Sequence, residues 1–333
     1  MFTLGIETSC DETAASVVLD GKKICSNVTA SSIRYHSKFG GVVPEIASRA
    51  QLEYIYPVVD QALRKARIKL KDLDLVAVTK GPGLIGSLLI GISFAKALSL
   101  ANNISLIGVD HVQAHLYPVF LNNKSKEEFP FAGLVVSGGH TNLYYCRSFD
   151  DFRLVGQTLD DAAGESFDKV AKLLKLGYPG GPKIERLAKR GDYHAFDFNC
   201  NSKHLGFNFS FSGIKTQVLY LIRDLEKKKK LDIHTKRNIA ASFQHQVVSS
   251  LVEKTISYII KNKLRILVVG GGVASNQYFR KLLAEVAKKF RIRIYFPPLE
   301  LCTDNAAMVA GFGYQLYKKG KKDNLNLRPV LYK

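Results

Sequence analysis

Residues 75–101 read LVAVTKGPGLIGSLLIGISFAKALSLA: a short apolar run at 75–79, a turn carrying Gly81, Gly83 and Gly86, then a mostly apolar helix. An apolar run of this length closed by glycines reads as a strand buried on both faces, with the helix returning over the sheet, so the chain is α/β. Upstream, a strand at 2–7, a polar turn and strands near 13–19 and 23–30 read as a meander, and helical periodicity occupies 45–67. Downstream, a strand at 104–109 leads into a helix over 111–120.

The pattern then starts again. An apolar strand at 131–136 ends in SGGHT, and hairpin strands follow at 142–147 and 152–158. A long, irregular, Gly- and Lys-rich stretch over 159–215 contains short helices at 163–175 and 183–190. A helix at 238–262, a strand at 265–269, the turn GGG at 270–272, a helix at 276–289, a strand at 292–296 and a final helix at 304–319 complete the chain. Two meander-then-βα halves imply an internal duplication around a central cleft. The expected first lobe is 1–130, joined by the C-terminal segment 304–333; the second is 131–303, with a basic insertion at 159–237.

With 333 residues and 46% apolar content, two cores can be filled. No run approaches the roughly 20 apolar residues that cross a bilayer, and MFTLGIETSC lacks the basic-then-apolar order of a signal peptide. A cytoplasmic protein without membrane contact is expected. Five cysteines without CxxC spacing argue against a disulfide framework and a thiolate zinc site. Cys10 lies beside Asp11 and Glu12, whose charge raises a thiol pKa instead of activating it.

The net charge of +19 is unevenly placed: residues 1–167 hold 16 Lys+Arg against 17 Asp+Glu, residues 168–333 hold 32 against 12. Such a block favours a polyanion, because each phosphate neutralised releases condensed counterions. Clusters such as Lys227–Lys230 and Arg265–Arg293 make nucleic acid the expected partner.

His111 and His115, four apart in HVQAH, project from one face of a helix. A zinc protease of HExxH type would carry glutamate where Val112 stands, so the pair supplies ligands but no base. The best third ligand is Asp304 in LCTDNAAM; its alternative role is to cap the final helix. Two imidazoles and a carboxylate suit iron or zinc. Three strand-glycine-helix turns, 81–86, 137–141 and 270–272, suit phosphate binding, although none matches GxxxxGK[ST] or GxGxxG.

Ten blocks in order, GIETSCDET (5–13), GGVVPEIASR (40–49), GPGLIGSL (81–88), HVQAH (111–115), VSGGHT (136–141), DDAAGESFDKVAKLL (160–174), YPGGP (178–182), FSFSGIKT (209–216), GGGVASN (270–276) and CTDNAAM (302–308), resemble the tRNA adenosine threonylcarbamoyltransferase family. The resemblance spans nearly the whole chain. It implies an actin-like ATPase (ribonuclease H-like) fold and an acyltransferase that passes the threonylcarbamoyl group of threonylcarbamoyl-AMP to the N6 amine of the adenosine 3′ of the anticodon, releasing AMP. It further implies Fe2+, with Zn2+ as the other candidate, on His111, His115 and Asp304. Val135, Val136, Ser137, Gly138, Gly139, Asp168, Gly181, Glu185 and Asn276 are then expected to bind substrate. Many relatives have Asp at the position of Glu185. Glu12 and Asp11 are the candidates for a general base, with turn formation as their alternative role. Expected partners are tRNA, a smaller paralogue that pairs through the first lobe, and a P-loop ATPase. The competing activities are a metal-dependent glycoprotein endopeptidase and a small-molecule kinase of the same fold.

Overall fold

The computed structural model describes residues 1–36, 38–123, 126–200 and 205–330, and the chain divides into two compact units. The first comprises 1–129, 147–151 and 300–333. Its strands β1 (Phe2–Glu7), β2 (Glu12–Leu19) and β3 (Lys23–Ser31) form the meander, and after α1 (Ile33–His36) and α2 (Pro44–Ala66) the chain adds β4 (Leu75–Gly81) parallel to β1. Helix α3 (Ile85–Asn102) and β5 (Ser105–Asp110), parallel to β4, extend the sheet to the order β3-β2-β1-β4-β5. Alternation along β1 decides its packing: Leu4 and Ile6 join the core shared with α2 and α3, while Gly5 faces the other way.

The expected helix over 111–120 is shorter. Asp110 caps it, accepting from Gln113 N–H at 2.8 Å, but α4 spans only His111–Ala114 and passes into a 3-10 turn, Tyr117–Asn123. Pro118 has no N–H to continue an α-helix, and its ring disfavours helical backbone at Tyr117. His115 still has helical φ and ψ, so the expected i, i+4 relation of the two imidazoles survives.

The second unit comprises 130–146 and 152–299. Strands β6 (Phe131–Val136), β7 (Thr141–Ser148) and β8 (Asp151–Gln157) repeat the meander. Helices α5 (Ala163–Leu173), α6 (Gly181–Ala188), α7 (Ser212–Lys227) and α8 (Ile233–Lys261) precede β9 (Ile266–Gly270), and α9 (Gln277–Lys289) precedes β10 (Arg293–Tyr295). The order β8-β7-β6-β9-β10, with β9 parallel to β6 and β10 parallel to β9, repeats that of the first sheet. Helix α7 lies across the end of the stretch read as irregular, and α8 begins five residues before its expected start at 238, because Asp232 accepts from Thr235 N–H at 2.7 Å and starts the helix there.

The chain returns to the first unit with α10 (Ala306–Lys318), whose small, buried first turns lie directly on β1. A Cβ on Gly5 would sit 2.2 Å from Ala306 C=O, so only glycine permits this approach. Asn305 caps α10, accepting from Met308 N–H at 3.0 Å. The capping role weighed for Asp304 therefore belongs to its neighbour.

Candidate metal centre

Two segments of the first unit bring His111, His115 and Asp304 together, with one ligand atom from each lying within 4.8 Å of the others. His111 opens α4 directly after β5, His115 ends the same turn, and Asp304 immediately precedes the cap of α10. His115 Nε2 is 3.2 Å and His111 Nε2 3.6 Å from Asp304 Oδ1, and the imidazoles meet edge to face at 4.8 Å. Both histidines are buried, and Asp304 is partly open.

Behind His111 stands a residue absent from the sequence-based site. Glu7, at the end of β1, is 1% exposed, and its Oε2 lies 3.0 Å from His111 Nδ1. Thr79 Oγ1 donates to the same oxygen at 2.6 Å, Ser9 N–H donates to Oε1 at 2.6 Å, and Ser9 Oγ is 3.2 Å from His111 Nδ1. Burial opposes ionisation of Glu7, but His111 outweighs it and holds the carboxyl below its ordinary value. Burial likewise opposes charge on His111, yet Glu7 and Asp304 push it up to about 9. An ionised Glu7 fixes the proton on Nδ1 and leaves Nε2 facing Asp304, the second-carboxylate arrangement that orients metal-bound imidazoles. The signal in the sequence is a carboxylate closing an otherwise apolar strand, FTLGIE.

Both ring nitrogens of His115 and Oε2 of Glu12 are buried without hydrogen-bond partners. Unsatisfied buried polar atoms cost roughly 1–3 kcal/mol each, and a divalent cation would satisfy the imidazole while offsetting the crowded carboxylates. The donor set therefore fits a metal. Burial, then Asp304, Asp11 and Glu7, push Glu12 up to about 9, and burial also raises Asp11. Burial and Asp11 drive the Cys10 thiol well above its ordinary range, as its flanking residues imply.

The remaining expected residues lie in the second unit, linked in one chain of contacts. Val135 and Val136 end β6 with wholly buried side chains, so they hold the following loop and present no side chain to a ligand. In that loop Ser137 N–H donates to His140 C=O at 2.8 Å, and Ser137 Oγ accepts from His140 N–H at 3.1 Å. Gly164 N–H at the start of α5 donates to Ser137 C=O at 3.1 Å. Asp168 on α5 accepts from Gly180 N–H at 2.6 Å, and Glu185 on α6 accepts from Gln277 N–H at 3.0 Å. Asn276 caps α9 through Phe279 N–H at 2.9 Å and donates to Gln244 at 2.9 Å. Asp168, Glu185 and Asn276 are thus partly committed to holding the frame. The glycines separate into two kinds. A Cβ on Gly138, Gly139 or Gly181 would meet nothing within 4 Å, whereas one on Gly164, Gly180 or Gly271 would strike the neighbouring segment. The first three leave room for a ligand, and the others serve packing.

The family model described as tRNA N6-adenosine threonylcarbamoyltransferase matches residues 23–311. A protein of that description from Dictyoglomus turgidum is 50% identical over 98% of this chain and 97% of its own length. Another from Syntrophus aciditrophicus is 50% identical over 99% of this chain and 96% of its own. Among solved structures, full-length HypF in its phosphate- and nucleotide-bound form superposes with a TM-score of 0.59 at 14% identity, over 96% of this chain and 46% of that one. Component A of (R)-2-hydroxyglutaryl-CoA dehydratase from Acidaminococcus fermentans superposes with a TM-score of 0.54 at 16% identity, over 96% of this chain and 100% of that one.

Proposed function

The chain belongs to the tRNA N6-adenosine threonylcarbamoyltransferase family, and we propose that it performs this transfer with a divalent metal held by His111, His115 and Asp304. It has the actin-like ATPase fold and is an acyltransferase that modifies adenosine in tRNA. The observation that carries the metal assignment is the buried imidazole of His115, which makes no hydrogen bond and has its Nε2 3.2 Å from Asp304, with His111 oriented by Glu7. Two imidazoles and one carboxylate with open positions suit Fe2+, with Zn2+ the competing occupant. When bound, the ion supplies Lewis acidity, polarising a carbonyl of the acyl donor.

The chain's own groups divide the remaining work. Glu7 holds His111 in one tautomer, and Thr79 and Ser9 hold Glu7. For the donor we take threonylcarbamoyl-AMP. The open side of Gly138 and Gly139 lets backbone amides reach its phosphate or carbonyl oxygens, and Asp168 and Glu185 accept from ribose hydroxyls with the lone pairs their backbone contacts leave unused. Asn276 fixes the start of α9 beside Glu185. Asp11 and Glu12 are the carboxyl groups able to take the amine proton, and a neighbouring cation would return Glu12 towards its ionised form.

Against the expectation that no run is long enough, helix α3 is, among the described residues, the one helix long and apolar enough to cross a membrane by length and composition, at 18 residues. Leu88, Gly91, Ile92 and Ala95 are buried, while Leu89 and Leu100 remain exposed; on α2, Leu52 and Tyr56 are 66% and 69% exposed. The helices touch where Ser48 Oγ lies 2.7 Å from a Cβ built on Gly86. This apolar face of the first unit is the proposed seat of a smaller paralogue of the chain. A P-loop ATPase is the other proposed protein partner, and the cytosol, where tRNA is modified, the proposed compartment.

The direct test incubates the chain, its protein partners, threonylcarbamoyl-AMP and tRNA, then digests the tRNA for mass spectrometry. Threonylcarbamoyl on adenosine, lost in His115→Ala, is the expected result; an unmodified nucleoside in the complete mixture would overturn the reading.

A further inference from the structure

Part of the positive charge of the second unit gathers at one end of its sheet. Strands β9 and β10 run parallel with Arg293 opposite Ile266, and Arg293 N–H donates to Arg265 C=O at 2.9 Å. That pairing joins two stretches far apart in sequence, KLR at 263–265 and KKFRIR at 288–293, at the end where both strands begin. Neither stretch contains a carboxylate, and Lys263, Arg265, Lys288, Lys289, Arg291 and Arg293 are all exposed. Among the described residues, no carboxylate pairs with Lys263, Arg265, Lys288, Lys289 or Arg291. A groove of about 470 Å³ runs past Lys288, Arg291 and Arg293, with Ala284 and Phe296 on its walls.

A simpler account exists for part of this charge. Lys263 and Arg291 follow the C-termini of α8 and α9 in left-handed conformation, where a cation complements the helix dipole. One cation at each helix end meets that need, and the other four go beyond it. The run Lys227–Lys230 offers a weaker field, because Lys228 is paired with Asp224 at 2.7 Å and Glu226 stands within the same turn.

We propose that this end of the second unit binds the sugar–phosphate backbone of tRNA outside the anticodon loop. The proposal rests on the family reading, which makes tRNA the substrate. The candidate substrate loops follow the carboxyl ends of β6 and β9, and the cations lie at the amino ends. The five residues of β9 alone separate those ends by roughly 17 Å. A surface so placed lies away from the candidate substrate loops of the same unit. It positions the RNA through phosphates without reading sequence.

The test uses the full chain with Lys263→Asn, Arg265→Gln, Lys288→Gln, Lys289→Gln and Arg291→Asn combined, all exposed positions, with asparagine where the backbone is left-handed. A second variant changes Lys227–Lys230 to Gln. Binding of tRNA to the chain alone is measured across salt concentrations, together with steady-state transfer in the complete mixture. In the first variant the slope of log Kd against log salt is expected to drop by about 0.7–0.9 for each phosphate contact removed, with affinity roughly tenfold or more weaker at 0.1 M salt. KM for tRNA should rise while kcat and donor KM hold, and the second variant should lose less. Unchanged tRNA affinity and slope would overturn the proposal, also where the variant fails only to assemble with protein partners, since that outcome assigns the surface to a protein. Equal losses in the two variants would overturn it as well. A parent chain that binds tRNA through these cations but transfers no acyl group would sink the functional reading and leave the surface standing.

Discussion

At Asp304 an offset of one residue separates a helix cap from a proposed metal ligand. Asn305 accepts from the Met308 amide at the start of α10, and the aspartate before it faces two buried imidazoles. Changing Asp304 to Asn or His115 to Ala should therefore leave the chain folded, reduce its metal content from stoichiometric to near zero by mass spectrometry, and slow transfer by about 10²-fold or more. Retained metal in both variants would remove these residues from the ligand set. Glu7 acts one bond further out. Glu7→Gln preserves shape but withdraws the charge that orients His111, and metal affinity should fall about 10–100-fold in a competition titration with a chelating dye. An unchanged affinity would leave Glu7 with a folding role alone. The histidine pair was legible in the sequence because i, i+4 spacing survives even a helix of one turn. Glu7 was not, because its partner stands 104 positions away and only the pairing of β1 with β4 and of β4 with β5 brings the strand ends together.

Among the elements, α7 shows what sequence periodicity misses. Its N-terminus is held by Asp160, 52 residues before Ser212, and not by a local cap. Asp160 accepts from Ser210 Oγ at 2.5 Å, Phe211 N–H at 2.7 Å and Ser212 Oγ at 2.7 Å, so the DDAAGESFDK and FSFSGIKT blocks form one device. Burial would raise the carboxyl, but these donors outweigh it and hold the folded value below the ordinary 3.8. The stabilisation is therefore complete above that ordinary value and is lost as pH falls through the folded one. Against Asp160→Asn, the unfolding free energies should differ by about 1 kcal/mol or less above roughly pH 5, after allowance for solvent screening, and converge towards pH 2. A gap that persists in acid would assign the effect to shape. The strands were legible to within one or two residues because apolar runs bounded by glycine leave little choice. The close contact of α10 with β1 was not, since the need for Gly5 depends on Ala306. Gly5→Ala should cost about 1–3 kcal/mol in a denaturant titration.

At the scale of the whole molecule, the two proposed docking surfaces lie in different units. The apolar face of α2 and α3 belongs to the first, the cationic sheet end to the second. Leu52→Glu with Leu89→Glu should abolish the proposed heterodimer with a paralogue in size-exclusion chromatography while tRNA binding by the chain alone holds; a heterodimer that persists would place the contact elsewhere. The asymmetry of charge was visible in the sequence as a count, but only the pairing of β9 with β10 turns two separate stretches into one surface. The proposed metal centre has the opposite geography: Glu7 near the beginning, His111 and His115 a third of the way along and Asp304 close to the end. A nascent chain on the ribosome cannot complete that set until almost all of it has been synthesised. Loading of the proposed ion would then be a late step of maturation, and a polypeptide released early would stay unloaded however well its first sheet has formed.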